Sequence, residues 1–405
     1  MVNHLQPVAF CPCLFCLPCN AHIEADLRIH VNQMQQASYR GQIQNTPKNI
    51  PQLTGLRAIA AGGVAVYHAS GFMPLSESLL AVCHLGVPFF FVLSGFILSH
   101  AHAQVKSTSS RRSFWFARFA RIWPLTMACL VLTFLLIPFS TMTGHTVWPV
   151  TIPLNILLLQ AWFPMAKSAL SFNGVAWTLS VEALFYLLFP FLRNICLKSA
   201  SRLFLIILFV SIAPIGIASL AHVPLSSPGG FVSMDSILTF FPPCRLFEFG
   251  IGLISYRLWT NYRHTIQIAH NSFLECSAVV LVGVIAIVMA PAFPKNAMGM
   301  WLSAMTPALG FGVLLPVFAN GGGILSQAFA SPLVVFLGET SFALYLSHQL
   351  LLRALSNQGL ISTQTVFCSV FVYFAAAYLV SWLLWKHVEV PSRRGLLELW
   401  KKRFA

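Results

Sequence analysis

An arginine and a histidine, Arg57 and His68, are separated by ten residues in LTGLRAIAAGGVAVYHAS, a stretch otherwise apolar enough to enter a membrane. On a helix rising about 1.5 Å per residue the two sit about 16 Å apart along the axis, roughly half the hydrocarbon thickness of a bilayer. An ionisable side chain at such depth is costly, and it is kept where it lines a polar interior or a site. A histidine there can move protons, and a guanidinium offers donors to an anion or a carbonyl. The elements that carry such groups therefore decide what the chain does.

Those elements are membrane helices. Hydrophobic residues make up 57% of the 405-residue chain and charged residues 8%, a ratio that points to a polytopic membrane protein. The net charge of +14 is spread over short loops between apolar runs, which is a topology signal and argues against nucleic acid as a partner. Cysteines are mostly single residues within apolar runs. The exception is CPCLFCLPC, with Cys11, Cys13, Cys16 and Cys19, which lacks the histidine-rich partner segment of a zinc site. No metal is expected.

The order of polar and apolar segments predicts an all-α protein of about ten transmembrane helices. Residues 1–50 read as an N-terminal cytoplasmic tail, 51–390 as the membrane domain, and 391–405 as a basic cytoplasmic C-terminal tail. Spans are expected near 53–73, 82–103, 118–137, 174–195, 203–221, 236–258, 272–291, 298–318, 333–354 and 366–386. Thr151–Phe163 is apolar but too short to cross, so it is placed as a re-entrant or interfacial element. With this layout 19 of the 24 Lys and Arg residues fall on one side and three on the other, with Arg57 and Arg245 in the membrane. The excess puts both termini in the cytoplasm.

Topology sets depths. His68 in the first span and His348 in the ninth each lie about 22 Å from the inner end of their helices, and Glu182 in the fourth lies about 18 Å from that side. Three titratable groups from three helices at one level predict one polar cavity, where histidine serves as base or acyl acceptor and glutamate orients it. Ser341, Tyr345 and His348 form one polar stripe in SFALYLSHQLLLR. Arg118 and Arg121, three apart near the inner end of the third span, offer donors to phosphate groups of a cytosolic ligand. Arg245 and Glu248, also three apart, read as a neutralised buried pair. Ser94 and Gly95 read as small residues that let helices approach closely.

Taken together, LTGLRAIAAGGVAVYH, GVPFFFVLSGFILS, FARFARIWP, WTLSVEALFY, SFALYLSH and VEVPSRR, in this order over residues 52–394, resemble the integral-membrane acyltransferase-3 family, the O-acetyltransferase type that modifies surface polysaccharides and related acceptors. The family pattern usually has Asp where this chain has Thr54. The resemblance implies that Arg57 and His68 belong to a catalytic pair. It also implies that Arg118 and Arg121 lie near the approach of acyl-CoA on the cytoplasmic side, that Glu182 and His348 line the central site, and that Glu389 and Pro391 lie near the inner face. The donor is then acetyl-CoA or another acyl-CoA, and the acceptor a hydroxyl of a surface polysaccharide, lipid-linked sugar or similar molecule. The expected location is the lipid bilayer of a bacterial inner membrane. Many members carry a soluble esterase-like domain after the last span, and this chain reads as the stand-alone form. The competing reading is a secondary transporter using buried Arg, His and Glu. It predicts two hydropathy-matched halves, and the charged motifs of the first four spans have no counterparts in spans six to nine.

Overall fold

A computed structural model describes residues 49–102, 107–227, 230–263 and 271–404. Residues 1–48, with the cysteine cluster at 11–19, lie outside the described residues. Helices dominate throughout, and no strand occurs among the described residues. In a bilayer a helix satisfies its own backbone polar groups, which is why an apolar chain of this kind takes that form.

Helix α1 spans Pro51–His68, and its first helical residue is a proline, whose missing N–H would have no partner there anyway. Then come α2 (Glu77–Ala101), α3 (Thr108–Leu136), α4 (Gly174–Lys198) and α5 (Ala200–Leu220). A broken pair follows, α6 (Met234–Phe240) and α7 (Leu246–Tyr262). The remaining helices are α8 (Asn271–Ala292), α9 (Ala297–Asn320), α10 (Pro332–Glu339), α11 (Ser341–Asn357) and α12 (Thr363–Arg403). Residues 141–173 form short helices, including Trp148–Ile156 and Ala166–Ala169, none long enough to cross. Arg353 ties this segment to α11 by donating to the carbonyls of Phe172 (2.9 Å) and Thr141 (3.3 Å).

Among the described residues seven helices are long and apolar enough to cross a membrane: α2, α3, α4, α5, α8, α9 and α12. They coincide with seven of the ten expected spans. The other three fall short as single apolar helices, each for a visible reason. Helix α1 has 18 residues and includes Gln52, Arg57 and His68. The span expected at 236–258 is interrupted, because Pro242 and Pro243 lack backbone N–H groups and end α6 before α7 begins. The span expected at 333–354 is divided at Thr340 into helices of eight and 17 residues. Helices α7 and α11 are nonetheless buried along most of their lengths, so neighbouring helices rather than lipid surround them.

Two close crossings set this arrangement. Gly95 of α2 faces the backbone of Phe249, Gly252 and Leu253 in α7, and Gly252 faces Val92 and Phe96 in return, so a side chain at either position would collide with main chain. Gly338 at the end of α10 meets the Thr54 carbonyl of α1 in the same way.

The short helix Ile324–Phe329 is held from below by α8. The fully buried Glu275 carboxylate accepts from the backbone N–H groups of Gly323 (3.0 Å), Leu325 (3.0 Å) and Ser326 (3.1 Å), and the Ser272 hydroxyl accepts from Ile324 (3.1 Å). Charge-assisted bonds to a helix start are strong, and removing the carboxylate strands three donors. Glu275→Ala is expected to cost about 2–4 kcal/mol and to lower the apparent melting temperature of the detergent-solubilised protein by several degrees, with Glu275→Gln in between. An unchanged melting curve for Glu275→Ala would show that this cap contributes little.

Candidate active site

The last residue of α1 meets the middle of α11. Nδ1 of His68 and Nε2 of His348 are 3.2 Å apart, with ring centroids at 5.1 Å and planes inclined by 54°. Each ring is also anchored to its own helix one turn back. His68 Nδ1 lies 2.9 Å from the Val64 carbonyl, and His348 Nδ1 lies 3.1 Å from the Leu344 carbonyl. A carbonyl only accepts, so each Nδ1 carries the proton of its neutral ring. His348 Nε2 is then a lone pair, and it accepts from the His68 Nδ1–H that is shared with Val64. What remains is His68 Nε2, which this assignment leaves unprotonated and which has no hydrogen-bond partner among the described residues. His348 is fully buried, whereas His68 is half-buried. The ring of Tyr67 lies 5.4 Å from that of His68 and 5.1 Å from that of His84.

Glu182 does not join this pair. It lines a cavity together with Arg57, walled by Val87, Phe90, Phe342 and Tyr345 among others, and neither histidine is in its lining. Its Oε2 accepts from the Tyr186 hydroxyl at 2.8 Å, and the charges acting on it are those of Arg121, Arg57 and Arg118. Phe90 and Tyr345 of that lining have ring centroids 6.0 Å apart, and the Tyr345 ring in turn meets the His348 ring at 5.9 Å. Arg57 and His68 likewise do not touch. They stand about three turns apart on one helix, and Arg57 opens into the cavity without a hydrogen bond or ion pair among the described residues.

Arg118 and Arg121 share a helix and differ in circumstance. Arg121 is ion-paired with Glu389, which is buried at the end of a π-helical turn, Trp385–Glu389, inside α12. Its guanidinium also covers the Phe342 ring at 5.1 Å. Arg118 lies over Phe114 at 5.9 Å and makes no hydrogen bond or ion pair among the described residues. Arg393, on the next turn of α12 beyond Glu389, adds its positive charge to both. The last residues of α12 continue as helix along α3, where Trp400 stacks on Phe116 at 4.3 Å. Arg245 and Glu248 form the expected buried pair at 2.8 Å, with Arg245 also over Phe91 at 5.3 Å. Among the described residues no group of three His, Cys, Asp or Glu side chains is placed to hold a metal ion.

Sequence reasoning missed Tyr186, whose signal was its place four residues after Glu182 on the same helix face. It named Glu389 but not its partner, because the two lie on helices far apart in the chain.

The Tyr345 ring links the cavity of Arg57 and Glu182, which it lines, to His348, which it meets. Residues 50–386 match the model of the acyltransferase-3 family, described as an acyltransferase domain. The chain belongs to that family. It is a membrane O-acyltransferase, transferring groups other than amino-acyl groups. It is 30% identical over 323 residues to the acyltransferase MdmB of Streptomyces mycarofaciens, an alignment covering 75% of this chain and 79% of that protein. It is 23% identical over 367 residues to the O-acetyltransferase OatA of Staphylococcus aureus, covering 86% of this chain and 58% of OatA. The chain thus spans a little more than half the length of OatA. No solved structure matches it.

The acyltransferase's Arg121–Glu389 pair is largely withdrawn from water, so removing one partner strands the other's charge at a cost of about 3–5 kcal/mol. Arg121→Met and Glu389→Leu are each expected to lower the melting temperature in detergent markedly, and the double substitution to recover most of the loss. Additive losses in the double variant would mean that the two residues stabilise the fold separately.

Proposed function

We propose that the enzyme moves an acyl group, acetyl in the first instance, from cytosolic acyl-CoA to a hydroxyl of an acceptor that arrives from the opposite side of a bacterial inner membrane. A surface polysaccharide, a lipid-linked sugar or a similar hydroxylated molecule fits that description. The observation that carries this reading is the contact of His68 with His348, whose neighbour Tyr345 lines the arginine-bordered cavity. The printed names of MdmB and OatA, one an acyltransferase and one an O-acetyltransferase, support the reaction class.

The basic end of the bundle takes the donor. Arg118, without a hydrogen bond or ion pair among the described residues, meets the phosphates of the CoA moiety, while Arg121 is held by Glu389 and adds its charge from a fixed place. The pantetheine arm runs through the cavity past Arg57, which faces the thioester from the donor side. Glu182, bonded to Tyr186, balances the arginines around it. At the far end the acceptor hydroxyl gives its proton to His68 Nε2 as its oxygen forms a bond to the thioester carbonyl carbon. The tetrahedral intermediate collapses with cleavage of the C–S bond, and the imidazolium returns the proton to the departing thiolate. His348 keeps His68 in the tautomer that has this lone pair to offer. Residues 1–50 and 391–405 flank the membrane domain on the cytoplasmic side in this reading.

Acyl transfer from radiolabelled acetyl-CoA to a membrane or glycan fraction in vesicles tests it. His68→Ala is expected to lower the rate about 10²–10⁴-fold, the usual contribution of a positioned base. His348→Gln, which still presents an acceptor oxygen, is expected to retain far more activity than His348→Phe. Labelling by well-folded His68→Ala at the rate of the unaltered enzyme would remove the assignment. Arg118→Ala is expected to raise KM for acetyl-CoA about tenfold or more, equivalent to one charge-assisted hydrogen bond. An unchanged KM would move the phosphates elsewhere.

A further inference from the structure

The aromatic lining of the cavity bears on which acyl group is carried. Phe90 and Tyr345 both line the cavity with Arg57 and Glu182. The Phe90 ring meets the ring of Tyr345 at 6.0 Å, and the Tyr345 ring meets the ring of His348 at 5.9 Å. Phe90 also packs against the two buried clusters to which α1 contributes Ala61 and Val64, residues that stand between Arg57 and His68 in sequence. The two rings thus form an aromatic partition on the His348 side of the cavity.

The other aromatic lining is committed elsewhere. Phe91 is fully buried beneath the Arg245 guanidinium. Phe342 lies beneath that of Arg121. The Tyr345 hydroxyl donates to the Val175 carbonyl at 3.3 Å. Phe90 is half-buried, without a polar group to anchor it, and its free surface belongs to the cavity.

We propose that Phe90 is the residue that sets the acyl chain length this enzyme transfers. The proposal rests on the acyl-CoA reading above. For the thioester carbon to meet an oxygen activated by His68, the thioester must reach the partition. The chain beyond the carbonyl then has to fit against the Phe90 ring. A phenyl ring there leaves room for a short acyl group and rejects longer ones by overlap. Apolar pockets distinguish chains that differ by a methylene about 10–200-fold, so removing the ring has a large expected effect on preference even where it changes the rate with the short donor little.

The test compares acetyl-CoA with hexanoyl-CoA as donors to one acceptor, for the unaltered enzyme and for Phe90→Ala, Phe90→Leu and Phe90→Trp. The quantity read is the ratio of kcat/KM for hexanoyl-CoA to kcat/KM for acetyl-CoA. A residue that only supports the fold would scale both and leave the ratio alone. The expected result is a ratio raised at least about tenfold in Phe90→Ala, raised less in Phe90→Leu, and lowered in Phe90→Trp. Should Phe90→Ala fail to fold, Phe90→Leu and Phe90→Trp carry the test in opposite directions. A ratio unmoved in every folded variant, with the unaltered enzyme transferring acetyl, overturns the role of Phe90 and leaves the acyl-CoA reading standing. An unaltered enzyme that transfers from neither donor overturns both.

Discussion

One ring-to-ring hydrogen bond, from His68 to His348, is the contact on which the rest of the arrangement depends. In water an imidazole exchanges freely between tautomers and rotates. Inside a helical bundle each must be chosen, since an unpaired polar atom there costs several kcal/mol. The chain makes the choice with backbone carbonyls one helical turn away from each ring, which occupy both Nδ1–H groups. His348 is then obliged to accept, and His68 to donate. The lone pair left over on His68 is a consequence of helix geometry and burial.

Around this pair the chain treats charge in two ways. Where a charged residue serves the fold it is paired: Arg245 with Glu248, Arg121 with Glu389, Glu275 with the start of a short helix. Where it is not paired, it faces the cavity or the basic end, as Arg57 and Arg118 do. A guanidinium is the group best suited to wait for an anion, because its charge persists at any physiological pH and its donors are planar and fixed. The π-helical turn Trp385–Glu389 belongs to this distribution, because its last residue is the buried carboxylate that pairs with Arg121.

Much of this was legible in the residues. Apolar runs located α2, α3, α4, α5, α8, α9 and α12, because a helix that faces lipid must be apolar over its whole length. The spacing of three announced the Arg245–Glu248 pair, and Gly95 announced a close crossing. Depth counting brought His68 and His348 to one level, and they do meet. Axial depth says nothing about which side chains stand between helices at that depth, and the aromatic residues Phe90 and Tyr345 that line the cavity with Glu182 were not foreseen by it. The Arg121–Glu389 pair was illegible for a related reason, since two helices distant in sequence become neighbours only through packing.

The three helices that hydropathy alone undervalues are also the most informative. Helix α1 carries Arg57 and His68, α11 carries His348, and α7 carries Glu248 with Arg245 at its head. Each is short, broken or too polar to stand in lipid by itself, and α7 and the first half of α11 are largely buried. Helices α5, α8 and α12, by contrast, have the least of their apolar windows buried inside the protein, 22–28%. Outer helices must satisfy lipid, whereas inner ones need satisfy only their neighbours and are free to hold ionisable groups. In a protein of this class, a marginal hydropathy signal is therefore a sign of position: the weaker the apolar run, the nearer it stands to the chemistry.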